Sequence, residues 1–300
     1  MAGGAGAYKT LGDLEKAEEY FRESIETREE LIRDDPNNSG LRRNLLVAYG
    51  NYAMLLGIPS APNLHRPEQA RVYAAKGVAL ARMMVSADPN DANARHDLGM
   101  ILSRSGQIDP APDSAADSLK NLEEAQSLLE PIAASNSKSV EIATQLATIF
   151  QYKAHRQESL GHRDEAVAGY RKSMALLQAF VDGHMKTAIG QYILDEQDLA
   201  LLYAESKSGR QAMELSGLAL TQAQNYAATI VQADARQAFL AQSWCVNALV
   251  QVRSGMTVEA QHSAAMALEL WNDVANPGIL SQYRDQIAEM QSISTALKSH

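Results

Sequence analysis

The residues of this chain that could do chemistry are few and scattered. Its single cysteine, Cys245, follows Trp244 inside an apolar stretch. A thiol becomes a nucleophile when a base or cation stabilises the thiolate, and an apolar run offers neither, so Cys245 reads as a small packing residue. Among the histidines, His155 and His162 stand seven residues apart across Gly161, which is not the helical spacing of a metal pair, and no carboxylate completes a set. Gly3, Gly4 and Gly6 are followed by no Gly-Lys-Ser/Thr and preceded by no strand, so they form no phosphate-binding loop. The elements of a protein kinase are absent as well. Paired carboxylates such as Glu18/Glu19 and Glu29/Glu30 have lysines and arginines within one helical turn, the mark of a solvated charged face. The chain is expected not to be an enzyme and to need no cofactor and no metal.

The elements that would position a binding surface are far more legible. The 300 residues are rich in alanine and leucine, contain nine prolines, and show no alternating run that reads as a strand. Three stretches share one spacing, a glycine followed at five, nine and twelve residues by small or aromatic residues: Gly12/Ala17/Phe21/Ser24, Gly161/Ala166/Tyr170/Ser173 and Gly255/Ala260/Ala264/Ala267. A helical hairpin needs a glycine where the chain reverses and small residues where its second helix presses on neighbours. Leu14, Ala17, Phe21, Ser24, Ile25, Leu31 and Ile32 draw one stripe on a helix running to about Asp34. Asp34-Asp35-Pro36-Asn37-Asn38 stops it, and Ala87-Asp88-Pro89-Asn90-Asp91 repeats that stop about fifty residues later.

First helices are predicted over Leu41 to Leu56, Ala92 to Arg104, Ser139 to Leu160, Met185 to Lys207 and Ala233 to Arg253. Each ends near a glycine, at 57, 106, 161, 209 and 255. Second helices follow at about Pro67 to Ser86, Asp113 to Ala134, Arg163 to Val181, Arg210 to Ala228 and Thr257 to Val274. The loops around Pro59 and Pro62 and around Pro110 and Pro112 read as rim decoration. Asn276-Pro277-Gly278 opens a closing amphipathic helix along Leu280, Tyr283, Ile287, Met290 and Leu297, suited to capping a solenoid.

These patterns resemble the tetratricopeptide repeat. The first helix Ala92 to Gly106, set after Asp88-Pro89-Asn90, carries the small residue Gly99 seven before its glycine, as do Gly50, Ala154 and Ala248 in their units, and Tyr8 matches a closing tyrosine. The resemblance implies an all-α chain: a right-handed α-solenoid of about six helical hairpins with a C-terminal capping helix. Residues 1–7 are expected to be disordered, 8–300 to form one solenoid, and 276–300 to be its cap. The units exceed the family's usual period, and the fifth has Leu202 where a small residue belongs. Long units of this kind look like repeat regions of large bacterial signalling proteins, including tails of serine/threonine kinases, so a piece of a larger protein is one alternative.

In this family the concave surface is lined by residues about six and ten before each loop glycine. That register implies a partner-binding row of Asn51, His96, Met100, Gln151, His155 and Tyr203, with Arg104 available for a carboxylate. The implied function is that of a non-catalytic scaffold gripping a protein or peptide segment in the concave groove. A net charge of -9 and a pI near 5.3 leave no basic footprint for nucleic acid. No run approaches the ~20 apolar residues of a membrane span, and one cysteine fits a reducing compartment, so no membrane and a cytoplasmic location are expected. A wet apolar edge at Leu11, Leu14 and Phe21 would predict self-association through an uncapped N-terminal end.

Overall fold

The computed structural model describes residues 12–108, 115–206 and 208–296. The chain divides into two compact units, Met1–His162 and Arg163–His300. Among the described residues every regular element is helical. No helix there is long and apolar enough to cross a membrane.

In the first unit α1 (Leu14–Asp34), α2 (Ser39–Gly57), α3 (Pro67–Ala87), α4 (Ala92–Gln107), α5 (Ala115–Ser135) and α6 (Val140–Ser159) each pack on the next. The first helices of successive hairpins also touch, α2 on α4 and α4 on α6. The second unit repeats the arrangement with α7 (Arg163–Asp182), α8 (Lys186–Ala204), α9 (Gly209–Ala227), α10 (Ala233–Arg253) and α11 (Thr257–Asn272), closed by α12 (Pro277–Gln282) and α13 (Arg284–Thr295). Each unit is therefore a segment of α-solenoid, whose stability is a sum of nearest-neighbour interfaces.

The local chemistry that sets the helix ends is the one the sequence advertises. After each Asp-Pro-Asn stop, the same cluster caps the next helix: Asn38 accepts from the Leu41 amide at 3.1 Å and Asp91 from the Asn93 amide at 2.8 Å. Gly12, Gly161 and Gly255 have φ of 81°, 79° and 77°, a region that L side chains avoid. At Gly161 the Schellman pair closes α6, with Gly161 N donating to Glu158 O at 2.9 Å and His162 N to Gln157 O at 2.8 Å. Gly255 and Met256 do the same after α10.

Small residues let helices approach. Ala154, Ala200 and Ala248 are fully buried, and a Cβ on Gly99 would meet Leu129 at 2.9 Å. The first core is built on Leu14, Ile25, Leu45, Tyr52, Leu55 and Leu56, with Tyr73 edge-on to Tyr52 at 4.5 Å. Leu14 is buried and so is no part of the wet edge expected of it, Phe21 is half-buried and stacks on Tyr52 at 6.1 Å, and Leu11 lies outside the described residues. The loop around Pro59 and Pro62 is fastened to α2: buried Asn63 donates to Ile58 O and Ala61 O, and the amides of Leu64 and Arg66 donate to Leu55 O and Leu56 O. The loop at 109–114 lies outside the described residues. In the second unit Ala241, Cys245, Trp271 and Met290 form the terminal core, and the stretch from Asn276 breaks at Tyr283 into α12 and α13.

Candidate binding surfaces

Six of the seven residues expected to meet a partner lie on first helices of the first unit: Asn51 on α2, His96, Met100 and Arg104 on α4, Gln151 and His155 on α6. Asn51, His96, Met100, Arg104 and His155 are half-buried, and Gln151 is buried. His96 Nε2 lies 3.2 Å from Gln145 Oε1, and its Nδ1 is 3.8 Å from the carboxylate of Asp97, which raises the imidazole pKa above its usual value. Asp97 in turn meets Arg43 Nε at 2.8 Å, tying α2 to α4. A cleft of about 610 Å³ opens beside His96, with Leu128 and Ile132 of α5 and Ile142 of α6 on its walls. His155 sets its ring edge against Tyr152, with centroids 5.3 Å apart.

Arg104 differs from its fellow cations. Its guanidinium lies over Gly50, in the space that a Cβ there would enter, between α2 and α4. Desolvation lowers its pKa. It makes no hydrogen bond and no ion pair with any described residue.

Tyr203 stands elsewhere. It was placed in the row by counting back from Gly209, but α9 begins at Gly209 itself, whereas α7 and α11 begin two residues after Gly161 and Gly255. Counted from the start of α9 as in α7 and α11, the register of this hairpin has its origin at position 207, which lies outside the described residues. From 207, the buried Ala212, Ser216 and Ala219 fall at five, nine and twelve, and the fully buried Ala200 falls seven before. The small residue thought missing at Leu202 is present at Ala200. Two residues of helix turn a side chain by about 200°, so the row passes through Gln197 and Leu201 instead. Gln197 is buried and donates to Ser243 Oγ on α10 at 2.8 Å. Tyr203 faces the second helices, where its hydroxyl accepts from Arg171 Nη2 of α7 at 2.7 Å.

A tetratricopeptide-repeat family model matches residues 5–30. That stretch of the chain is thus similar to a tetratricopeptide repeat. Among solved structures, BtubC (BKLC) from P. vanneervenii is similar at 17% identity, with 86% of this chain and 90% of that one covered and a TM-score of 0.53, a likeness that shows the fold alone. Yeast Tom70 aligns at 12% identity over 96% of this chain and 82% of its own, with a TM-score of 0.25. None of the curated proteins matches the chain.

Two polar features of the repeats escaped sequence reasoning. Arg156 of α6 is buried and spends its guanidinium on the C-terminal carbonyls of α4. In α8 three consecutive buried residues reach three helices: Asp195 accepts from Ser173 Oγ of α7 at 2.5 Å, Glu196 from Gln222 Nε2 of α9 at 3.4 Å, and Gln197 bonds Ser243 of α10. Burial raises the Asp195 carboxyl well above the usual range and pushes Glu196 up to about 7. Such residues carry no spacing signal, because polar letters at core positions look like surface until the neighbouring helices are in place. Cys245 is 1% exposed and burial pushes its thiol up to about 12, the state of an inert packing residue.

Proposed function

We propose that this chain is a non-catalytic interaction module that holds an extended partner segment along the first-helix face of its first unit, with Arg104 receiving a carboxylate of that segment. A tetratricopeptide fold is in general a protein-interaction scaffold, and what supports the finer reading is that Arg104, beside Asn51 and Met100, has no acceptor among the described residues. A half-buried guanidinium without an acceptor is costly, and a bound carboxylate would relieve that cost with paired, charge-assisted bonds.

The second unit supplies the comparison. Arg253 stands two before its turn glycine, as Arg104 does, and it finds Glu205 at 3.2 Å and the Leu201 carbonyl at 3.3 Å. Glu205 holds the same place in its hairpin when the register is counted from the start of α9. The corresponding residue for Arg104 is Leu55, which is fully buried and brings no charge. The chain thus carries the cation twice and the internal acid once.

The test is capture of binding proteins from the source lysate by wild type, Arg104→Leu and Asn51→Ala/Met100→Ala. Removing an uncompensated charge leaves the fold at least as stable, so Arg104→Leu is expected to keep or raise the Tm while losing the partner. Equal capture by wild type and Arg104→Leu at matched Tm rejects this surface.

A further inference from the structure

The register that carries Tyr203 away from the first-helix row sets it at the edge of a second surface, lying wholly within the second unit. Second helices α7 and α9 flank a groove of about 410 Å³ floored by α8. Its floor is the buried Leu199, its walls include Met174 of α7 and Leu215 of α9, and Leu218 on the rim is 50% exposed. It is an open furrow on the surface and not an enclosed cavity, so it suits a packed segment of another chain better than a small molecule.

The charges on the two walls are opposite and unspent. Arg171 of α7 is exposed, and its one hydrogen bond to a described residue goes to the neutral Tyr203 hydroxyl, which holds the guanidinium at the groove's edge and leaves its remaining donors free. Glu214 of α9 is exposed on the facing side and makes no ion pair or hydrogen bond with a described residue. By contrast, Arg163 and Arg253 of the same unit share Glu205.

From this juxtaposition we infer that the α7–α9 groove docks an amphipathic helix of a protein partner, whose apolar stripe seats on Leu199 and whose edges carry carboxylates toward Arg171 and basic groups toward Glu214. A helix suits the geometry because two parallel-running helices over a third leave a furrow into which the ridge of another helix packs. The apolar floor supplies affinity. The two rim charges supply selection, since a partner with like charge on either wall is repelled.

Three labelled helical peptides test this, each with leucines at i, i+4 and i+7: one edged by glutamates on one side and lysines on the other, one with both edges lysine, and one with both edges glutamate. Fluorescence anisotropy at low salt is expected to rank the mixed peptide about three- to tenfold tighter than either uniform peptide on wild type. Arg171→Glu shifts the preference to the lysine-edged peptide, Glu214→Lys shifts it to the glutamate-edged peptide, and the double variant restores the mixed one. Both residues are exposed, and circular dichroism and Tm confirm that each variant is folded. One ranking shared by all variants overturns the inference, as does no binding of any peptide at millimolar concentration. Arg104→Leu leaves these rankings unchanged, which separates this surface from the one on the first unit.

Discussion

Arg156 Nη2 donates to the carbonyl oxygen of Gly106 at 3.1 Å, across fifty residues of sequence. Its Nε reaches the same carbonyl and Ser118 Oγ, and Nη2 also reaches the carbonyls of Gln107 and Ile108. The end of a helix leaves carbonyls without partners, and here a buried cation from α6 serves the end of α4, where the helix dipole also favours positive charge. Arg156→Leu is expected to destabilise the protein by about 2–4 kcal/mol, because several buried carbonyls lose their donor at once. Arg156→Lys recovers only part, since an ammonium cannot fork across three carbonyls. Urea midpoints of the two variants check both statements.

Glu196 and Asp195 make stability depend on pH. An acid whose folded pKa lies above its unfolded value keeps its proton longer in the folded chain, so its stabilisation is complete below the ordinary carboxylate range and is lost as pH climbs through the folded value. For Glu196 that value is about 7, and the loss by pH 8.5 is on the order of 3 kcal/mol. Asp195 acts in the same direction. So does His96, whose raised pKa likewise means stability lost as pH rises through it. Glu196→Gln, which keeps the bond with Gln222 and removes the charge, is expected to be more stable than wild type at pH 8.5 and to flatten the profile between pH 5 and 8.5. Thermal melts across that range decide the point.

His184 occupies a left-handed position, with φ of 58°, and closes α7 as Gly161 closes α6: His184 N donates to Val181 O and Met185 N to Phe180 O, both at 2.9 Å. A non-glycine residue there costs roughly 1 kcal/mol. His184→Gly is expected to stabilise by about 0.5–1 kcal/mol, and Gly161→Ala to destabilise by about 1 kcal/mol. An added Cβ on Gly161 meets nothing within 4 Å, so its cost is one of backbone conformation and not of packing. Differences in Tm measured side by side test the pair.

Most of the helix plan was legible because it rests on local physics. Pro36 and Pro89 stop their helices, Asn38 and Asp91 cap the next, and Gly12, Gly161 and Gly255 take the backbone conformation their spacing implied. The fifth hairpin was misread for an equally local reason. Gly209 has the letter of a turn glycine, and only its place as the first residue of α9 and the burial of Ala200, Ala212 and Ser216 show that the small-residue register runs two positions earlier. In a helix that small error turns Tyr203 from one face to another.

The sequence by itself determined an all-helical chain of hairpins, because propensity, caps and turn glycines act within a few residues of one another. The tertiary structure decided which charges are spent and which remain. Arg104, Arg156 and Arg253 are the same letter near the same end of a first helix. One lies over Gly50 with no acceptor among the described residues, one is consumed by the carbonyls of α4, and one is paired with Glu205, because the outcome depends on what the preceding hairpin brings within hydrogen-bond reach.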